Sequence, residues 1–208
     1  VLFFLLIPMM FGLISLSTPI VRLIYEWKEF GSDATLLTGK ALAFFSIGML
    51  AFGVQTILSR AFYALQDGKT PLITGVVSIV VNVVFCQLLV GKMNISGLAL
   101  ASSLSSIISA ILLIVPMRKR SKDIMNKEFF KATLKMFISA IIMTVVVVIL
   151  RDIIYTNLSD NIISRVLVVG IPTFVGIIVY MVSAYIFKIE ESKFVFDFIN
   201  KIICKFKK

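Results

Sequence analysis

The 208-residue sequence contains no histidine and only two cysteines, Cys86 and Cys204. The first absence removes the side chain most used for proton transfer near neutral pH and for metal ligation. The second leaves no metal-ligand spacing. One thiol lies in an apolar run and the other in a basic tail, so there is no disulfide framework either. Charge is scarce: Asp, Glu, Lys and Arg make up 15% of the residues, against about 25% in a soluble domain. No nucleophile–base constellation offsets these absences. The sequence therefore predicts a protein that is not an enzyme, with no catalytic residues, no metal site and no cofactor.

What is abundant is apolar surface. Hydrophobic residues are 59% of the chain and the mean hydropathy is +1.04. The apolar residues gather into six runs, at about 1–21, 36–58, 71–90, 97–117, 132–150 and 166–187. Each approaches the ~20 helical residues needed to cross a hydrocarbon core. None alternates in the manner of a barrel strand, and backbone amides in lipid must be satisfied within their own segment. The fold class expected is an all-α polytopic membrane protein with six transmembrane helices. The chain opens on Val1 rather than Met, directly into an apolar run, which leads to the expectation that it is part of a longer protein. That run has no basic leading region and carries Pro8 at its middle, so it does not read as a signal peptide.

The connections differ in charge. Those at 59–71, 117–136 and 188–208 hold 15 of the 21 cations, and the alternate set holds 6. By the positive-inside rule the rich side is cytoplasmic, which puts both ends of the chain in the cytoplasm. The net charge of +10 is then a topology signal. No basic face with interleaved stacking aromatics points to nucleic acid. On the poorer side, Arg22–Lys40 carries Tyr25, Trp27 and Phe30 among charges and reads as an interfacial lip. Residues 91–96 read as a tight turn, and 156–164 as a short polar loop. Residues 119–131 are a basic cytoplasmic loop. In 188–208, Val195, Phe198, Ile199, Ile202, Ile203 and Phe206 share one helical face and lysines the other, as in a basic amphipathic helix on the inner leaflet.

No Asp, Glu, Lys or Arg sits near the middle of a run. Such residues usually mark ion or proton pathways. The intramembrane polar candidates are the amides Gln55, Asn82 and Gln87, each expected to find a partner on another helix. Ala99, Ser102, Ser103, Ser106 and Ser109 form a small-residue stripe suited to close packing. Pro116 reads as a helix stop, whereas Pro8 and Pro172 are expected to kink or locally break their spans.

One polar stretch interrupts the apolar pattern: LSRAFYALQDGKTPL, Leu58–Leu72. Arg60 ends a span, Phe62 and Tyr63 sit in an amphipathic turn, and Asp67 and Gly68 supply turn chemistry. Thr70 is placed to cap a helix whose first residue is Pro71. The stretch reads as a cytoplasmic elbow between two spans. Arg60-Ala61-Phe62-Tyr63-Ala64-Leu65, Asp67, Thr70-Pro71, Ser78 and Asn82, together with Gly97-Leu98-Ala99-Leu100-Ala101-Ser102-Ser103-Leu104-Ser105, resemble the pattern of the MurJ (MviN) family. That family flips lipid II, the undecaprenyl-linked peptidoglycan precursor, across the bacterial inner membrane, and belongs to the multidrug/oligosaccharidyl-lipid/polysaccharide exporter superfamily. The match is specific over 36–118 and rests on architecture over 132–187.

The resemblance implies a fourteen-helix transporter. Residues 1–118 would supply most of its second lobe, and 132–187 the extra C-terminal helix pair, associated with a groove for the lipid tail. It implies alternating access, membrane lipids and an undecaprenyl-linked lipid as partners, and cell-wall synthesis proteins as candidate partners. The arginines that meet the substrate diphosphate would lie upstream of Val1, so no substrate-binding residue carries over. An exporter of another polysaccharide-lipid or of drugs, and a non-transporting cell-wall scaffold, are the competing readings.

Overall fold

The computed structural model describes residues 2–26, 31–120, 127–157 and 161–189. These form seven helices and, among the described residues, no strand. They are α1 (Leu2–Tyr25), α2 (Ser32–Ile47), α3 (Met49–Ala64), α4 (Lys69–Met93), α5 (Ile95–Arg120), α6 (Lys127–Asn157) and α7 (Ile162–Ile186). Five are long and apolar enough to cross a membrane, and α2 with α3 forms a sixth candidate, bent by 41°. Residues 190–208 of the amphipathic tail, the 121–126 part of the basic loop, the lip residues 27–30 and the loop residues 158–160 lie outside the described residues.

α1 packs against α2, α3, α6 and α7, while α5 packs against α2, α3 and α4. The principal core lies between α1, α6 and α7, around Phe4, Ile7, Met136, Met143, Val147 and Tyr180. α4 is the edge helix: only 6% of its apolar window is buried. The turn expected at 91–96 is tighter than that span, since Asn94 alone joins α4 to α5, at a φ of 50°. Asn tolerates positive φ better than most residues.

One proline departs from expectation: α5 runs through Pro116 to Arg120, so Pro116 is not a stop. α1 and α7 continue as helices through Pro8, Pro19 and Pro172, without a local break. A helical proline has no N–H, which strands the carbonyl four residues earlier. In lipid that carbonyl has no water to turn to. Pro8 strands the carbonyl of Phe4, and the Tyr180 hydroxyl of α7 donates to it at 2.9 Å. Pro19 strands that of Ser15, and Arg151 Nη1 of α6 donates to it at 2.8 Å.

The run at 36–58, expected as one span, is broken at Gly48 for a related reason. The Gly48 N–H bonds the Phe45 carbonyl at 3.1 Å, one residue short of the α-helical partner. The displaced Phe44 carbonyl accepts from the Ser103 hydroxyl of α5 at 2.6 Å. A Cβ on residue 48 would lie 2.7 Å from Ser103 Cα, so glycine is what lets the break meet α5.

Tyr180→Phe should lower stability by about 1–3 kcal/mol, the usual cost of a buried polar group left unpaired. Adding Pro8→Ala returns a backbone donor to the Phe4 carbonyl and should recover most of that loss. Thermal unfolding in detergent measures both. A double variant no better than Tyr180→Phe alone would show that the stranded carbonyl is not the reason.

Candidate functional site

The elbow is a closed set of contacts. α3 ends with Gln66 at a φ of 58°. The Asp67 N–H reaches back to the Phe62 carbonyl at 2.9 Å, and the Gln66 N–H to the Tyr63 carbonyl at 3.0 Å. This paired closure is a common way to satisfy the last carbonyls of a helix. A glutamine in this left-handed position costs roughly 1 kcal/mol relative to glycine.

Asp67 then opens the next helix. Its Oδ1 accepts the Thr70 N–H at 3.1 Å and its Oδ2 accepts the Thr70 hydroxyl at 2.9 Å. The capping side chain is thus Asp67 and not Thr70, and α4 begins at Lys69 and not at Pro71. Pro71 is buried in the first turn, where a missing N–H costs nothing because those amides have no intrahelical acceptor.

Arg120, from the last turn of α5, completes the elbow. Its Nη2 lies 2.6 Å from Asp67 Oδ2, and its guanidinium carbon 5.5 Å from the centroid of the Phe62 ring. Phe62 is fully buried. One arginine thereby joins the end of α3, the cap of α4 and the end of α5. Arg60 and Tyr63 are exposed. The backbone N–H of Thr70 first, its hydroxyl second and the Arg120 guanidinium to a lesser degree hold the Asp67 carboxyl below its usual range.

The three amides divide. Asn82 Nδ2 donates across to Ser105 Oγ at 3.2 Å and reaches Ser102 Oγ at 3.4 Å, joining α4 to α5. Cys86 Sγ approaches Asn82 Oδ1 at 3.5 Å. Gln55 is half-buried on α3 and Gln87 exposed on α4, and neither has a hydrogen-bond partner among the described residues. Among the described residues, Asn82 is the amide with a partner on another helix. Of the serine stripe, Ser103 and Ser109 are buried, as is Ser105, which the stripe omitted.

Arg120 was invisible in the sequence as a site residue, because Arg118-Lys119-Arg120 reads as an ordinary basic helix end. The available signal was Asp67, the only carboxylate in the elbow, whose cationic partner comes from the end of another helix. Among the described residues no group of side chains is arranged to hold a metal ion.

Asp67→Asn should lower the unfolding temperature at pH 7. Because the native carboxyl is more acidic than the unfolded one, its contribution is present above the unfolded pKa of ~3.9 and is lost as pH falls through the lower native value. The gap between wild type and variant should stay constant from pH 7 to about 5 and close in more acid solution. Thermal unfolding across that range checks it; a gap independent of pH would remove the carboxylate's role.

Comparison with known proteins gives a consistent result. The family model described as "Lipid II flippase MurJ" matches residues 1–170. The lipid II flippase MurJ of Thermosipho africanus is 32% identical over 184 residues, covering 88% of this chain and 35% of its own. The probable lipid II flippase MurJ of Thermotoga maritima is 30% identical over 188 residues, covering 90% and 36%. A solved lipid II flippase MurJ in an inward closed conformation superposes with a TM-score of 0.71 at 32% identity, covering 89% of this chain and 36% of that one. The chain thus spans about a third of the length of these relatives, in their C-terminal part. With its row of apolar helices it is a multi-pass bacterial membrane protein, and it belongs to the MurJ lipid II flippase family.

Proposed function

We propose that this chain is part of a flippase that carries lipid II across the bacterial plasma membrane by alternating access. The observation that carries the reading is the family match over residues 1–170, joined to a fold shared with a solved MurJ at a TM-score of 0.71. On this reading α1 to α5 belong to the second lobe, and α6 and α7 are the added pair. Neither another lipid-linked exporter nor a scaffold is favoured by any comparison.

The charge bias supports an orientation in which the elbow faces the cytoplasm. The packing agrees with one alternating path: Phe3 stacks edge-on with Phe129 at 5.5 Å, and Lys135 donates to the Phe187 carbonyl at 3.1 Å, so the start of α1, the start of α6 and the end of α7 share one end. The elbow then serves as a joint of the second lobe, tying three helix ends so that they move together when the transporter rocks. The outward faces of α6 and α7 are apolar, with Val145, Ile149, Phe174 and Ile177 exposed, which suits contact with a polyprenyl tail or with surrounding lipid.

The test is depletion of the full-length protein in its own host. Lipid II should accumulate while becoming inaccessible from the outer face; unchanged outer access would sink the reading. Within the elbow, Asp67→Asn or Pro71→Ala should slow flipping about tenfold, equivalent to ~1.4 kcal/mol in the barrier, with the protein's membrane level held. Loss of flipping only in proportion to loss of protein would make the elbow a folding element instead.

A further inference from the structure

At the end of the molecule away from the elbow, α1, α6 and α7 enclose a cavity of about 420 Å³. This is within the ~300–1,000 Å³ of ordinary small-molecule sites. Three guanidiniums line it: Arg22 from the last turn of α1, Arg151 from α6 and Arg165 from the first turn of α7. Thr18, Tyr155 and Ser164 add hydroxyls.

The arginines are held in place. Arg22 Nε lies 3.3 Å from Glu26 Oε1, and its Nη1 donates to the Tyr155 hydroxyl at 2.7 Å. Arg165 Nη1 donates to the Glu26 carbonyl at 3.1 Å and its Nη2 to Glu26 Oε1 at 3.3 Å. Arg151 bonds the Ser15 carbonyl and pairs with Asp152 at 2.8 Å. Each is about three-quarters buried, with side-chain exposures of 23%, 28% and 22% for Arg22, Arg151 and Arg165. Bracing of Glu26 and of the Ser15 carbonyl accounts for where the cations sit. It does not account for the open, hydroxyl-lined space between them.

Glu26 and Asp152 are the carboxylates that pair with these arginines among the described residues. Planar guanidinium forks match the oxygens of a phosphate, and placement before binding spares the entropy of ordering them. The 25-residue α7 points its N-terminus to the same end, where its dipole favours negative charge. The rest of the wall is apolar, with Pro19, Ile154 and Val168. Tyr25 and Tyr155, both more than half exposed, stand at this end as interfacial aromatics do. A free phosphate would use only the cationic part of the wall; a lipid headgroup uses both parts.

We propose that the Arg22–Arg151–Arg165 cavity binds the phosphate of an anionic phospholipid headgroup. With the elbow cytoplasmic, that lipid comes from the outer leaflet. The site does not depend on the flippase reading, and its test contains no transport measurement.

The full-length protein, purified in a neutral detergent, is titrated with phosphatidylglycerol, phosphatidylcholine or inorganic phosphate while its unfolding temperature is followed. Phosphatidylglycerol should stabilise it at low concentration. Phosphatidylcholine, whose ammonium cancels the phosphate charge, should stabilise it far less. Arg22→Gln and Arg165→Gln should each raise the phosphatidylglycerol concentration needed for half the effect about tenfold, as expected for a lost charge-assisted contact. Arg22→Lys, which keeps the charge but loses the fork, should fall between. An unchanged phosphatidylglycerol response in the variants overturns the proposal, as does equal stabilisation by both lipids. Stabilisation by inorganic phosphate at matching concentrations overturns the lipid assignment. If the Gln variants cannot be purified, native mass spectrometry of the wild type decides: retained phosphatidylglycerol supports the site, and no preference over phosphatidylcholine overturns it.

Discussion

Every helix interruption inside a bilayer strands a backbone carbonyl, and the architecture of this chain turns on where those carbonyls find donors. Three such cases stitch the bundle together. The Phe4 carbonyl, freed by Pro8, takes the Tyr180 hydroxyl of α7. The Ser15 carbonyl, freed by Pro19, takes Arg151 of α6. The Phe44 carbonyl, freed by the break at Gly48, takes the Ser103 hydroxyl of α5. In water each would be a modest contact. In hydrocarbon the alternative is an unpaired polar group costing several kcal/mol, so each interruption fixes a neighbour. The prolines of α1 thereby tie it to the C-terminal pair instead of breaking it.

The ion pairs among the described residues lie at the two ends of the bundle. At one end Arg120 unites three helix termini through Asp67 and Phe62. At the other, Arg22, Arg151 and Arg165 surround a cavity beside Glu26. Between them lie apolar packing and the neutral Asn82–Ser105 contact. Charge at the ends couples helix termini to one another, while the middle remains compatible with lipid.

Much of this was legible along the chain. The apolar runs at 71–90, 97–117 and 132–150 lie within α4, α5 and α6, and that at 166–187 passes the end of α7 by one residue, because a bilayer sets both the length and the composition of a span. The elbow was legible as well, since turn residues and cations cannot remain inside an apolar run. What escaped were the partners. Nothing local to Arg118-Lys119-Arg120 distinguishes the third cation from its neighbours; it is singled out only because the end of α5 meets the turn after α3. Thr70 looked like a cap because it precedes Pro71, yet α4 starts at Lys69 and Thr70 instead donates its own N–H and hydroxyl to Asp67. Gln55, Asn82 and Gln87 are equivalent as letters, and only helix rotation gives Asn82 a serine to bond.

The sequence by itself determined that this is an all-helical membrane chain, where its spans lie and to which family it belongs, since those follow from hydropathy, charge bias and short motifs. The tertiary structure alone decided that Pro116 continues its helix, that the run at 36–58 bends at Gly48, and that three arginines from distant positions share one cavity. The physical reason is the same throughout: a span is specified by its own residues against lipid, whereas a stranded carbonyl or a paired charge is specified by whichever helix packs beside it.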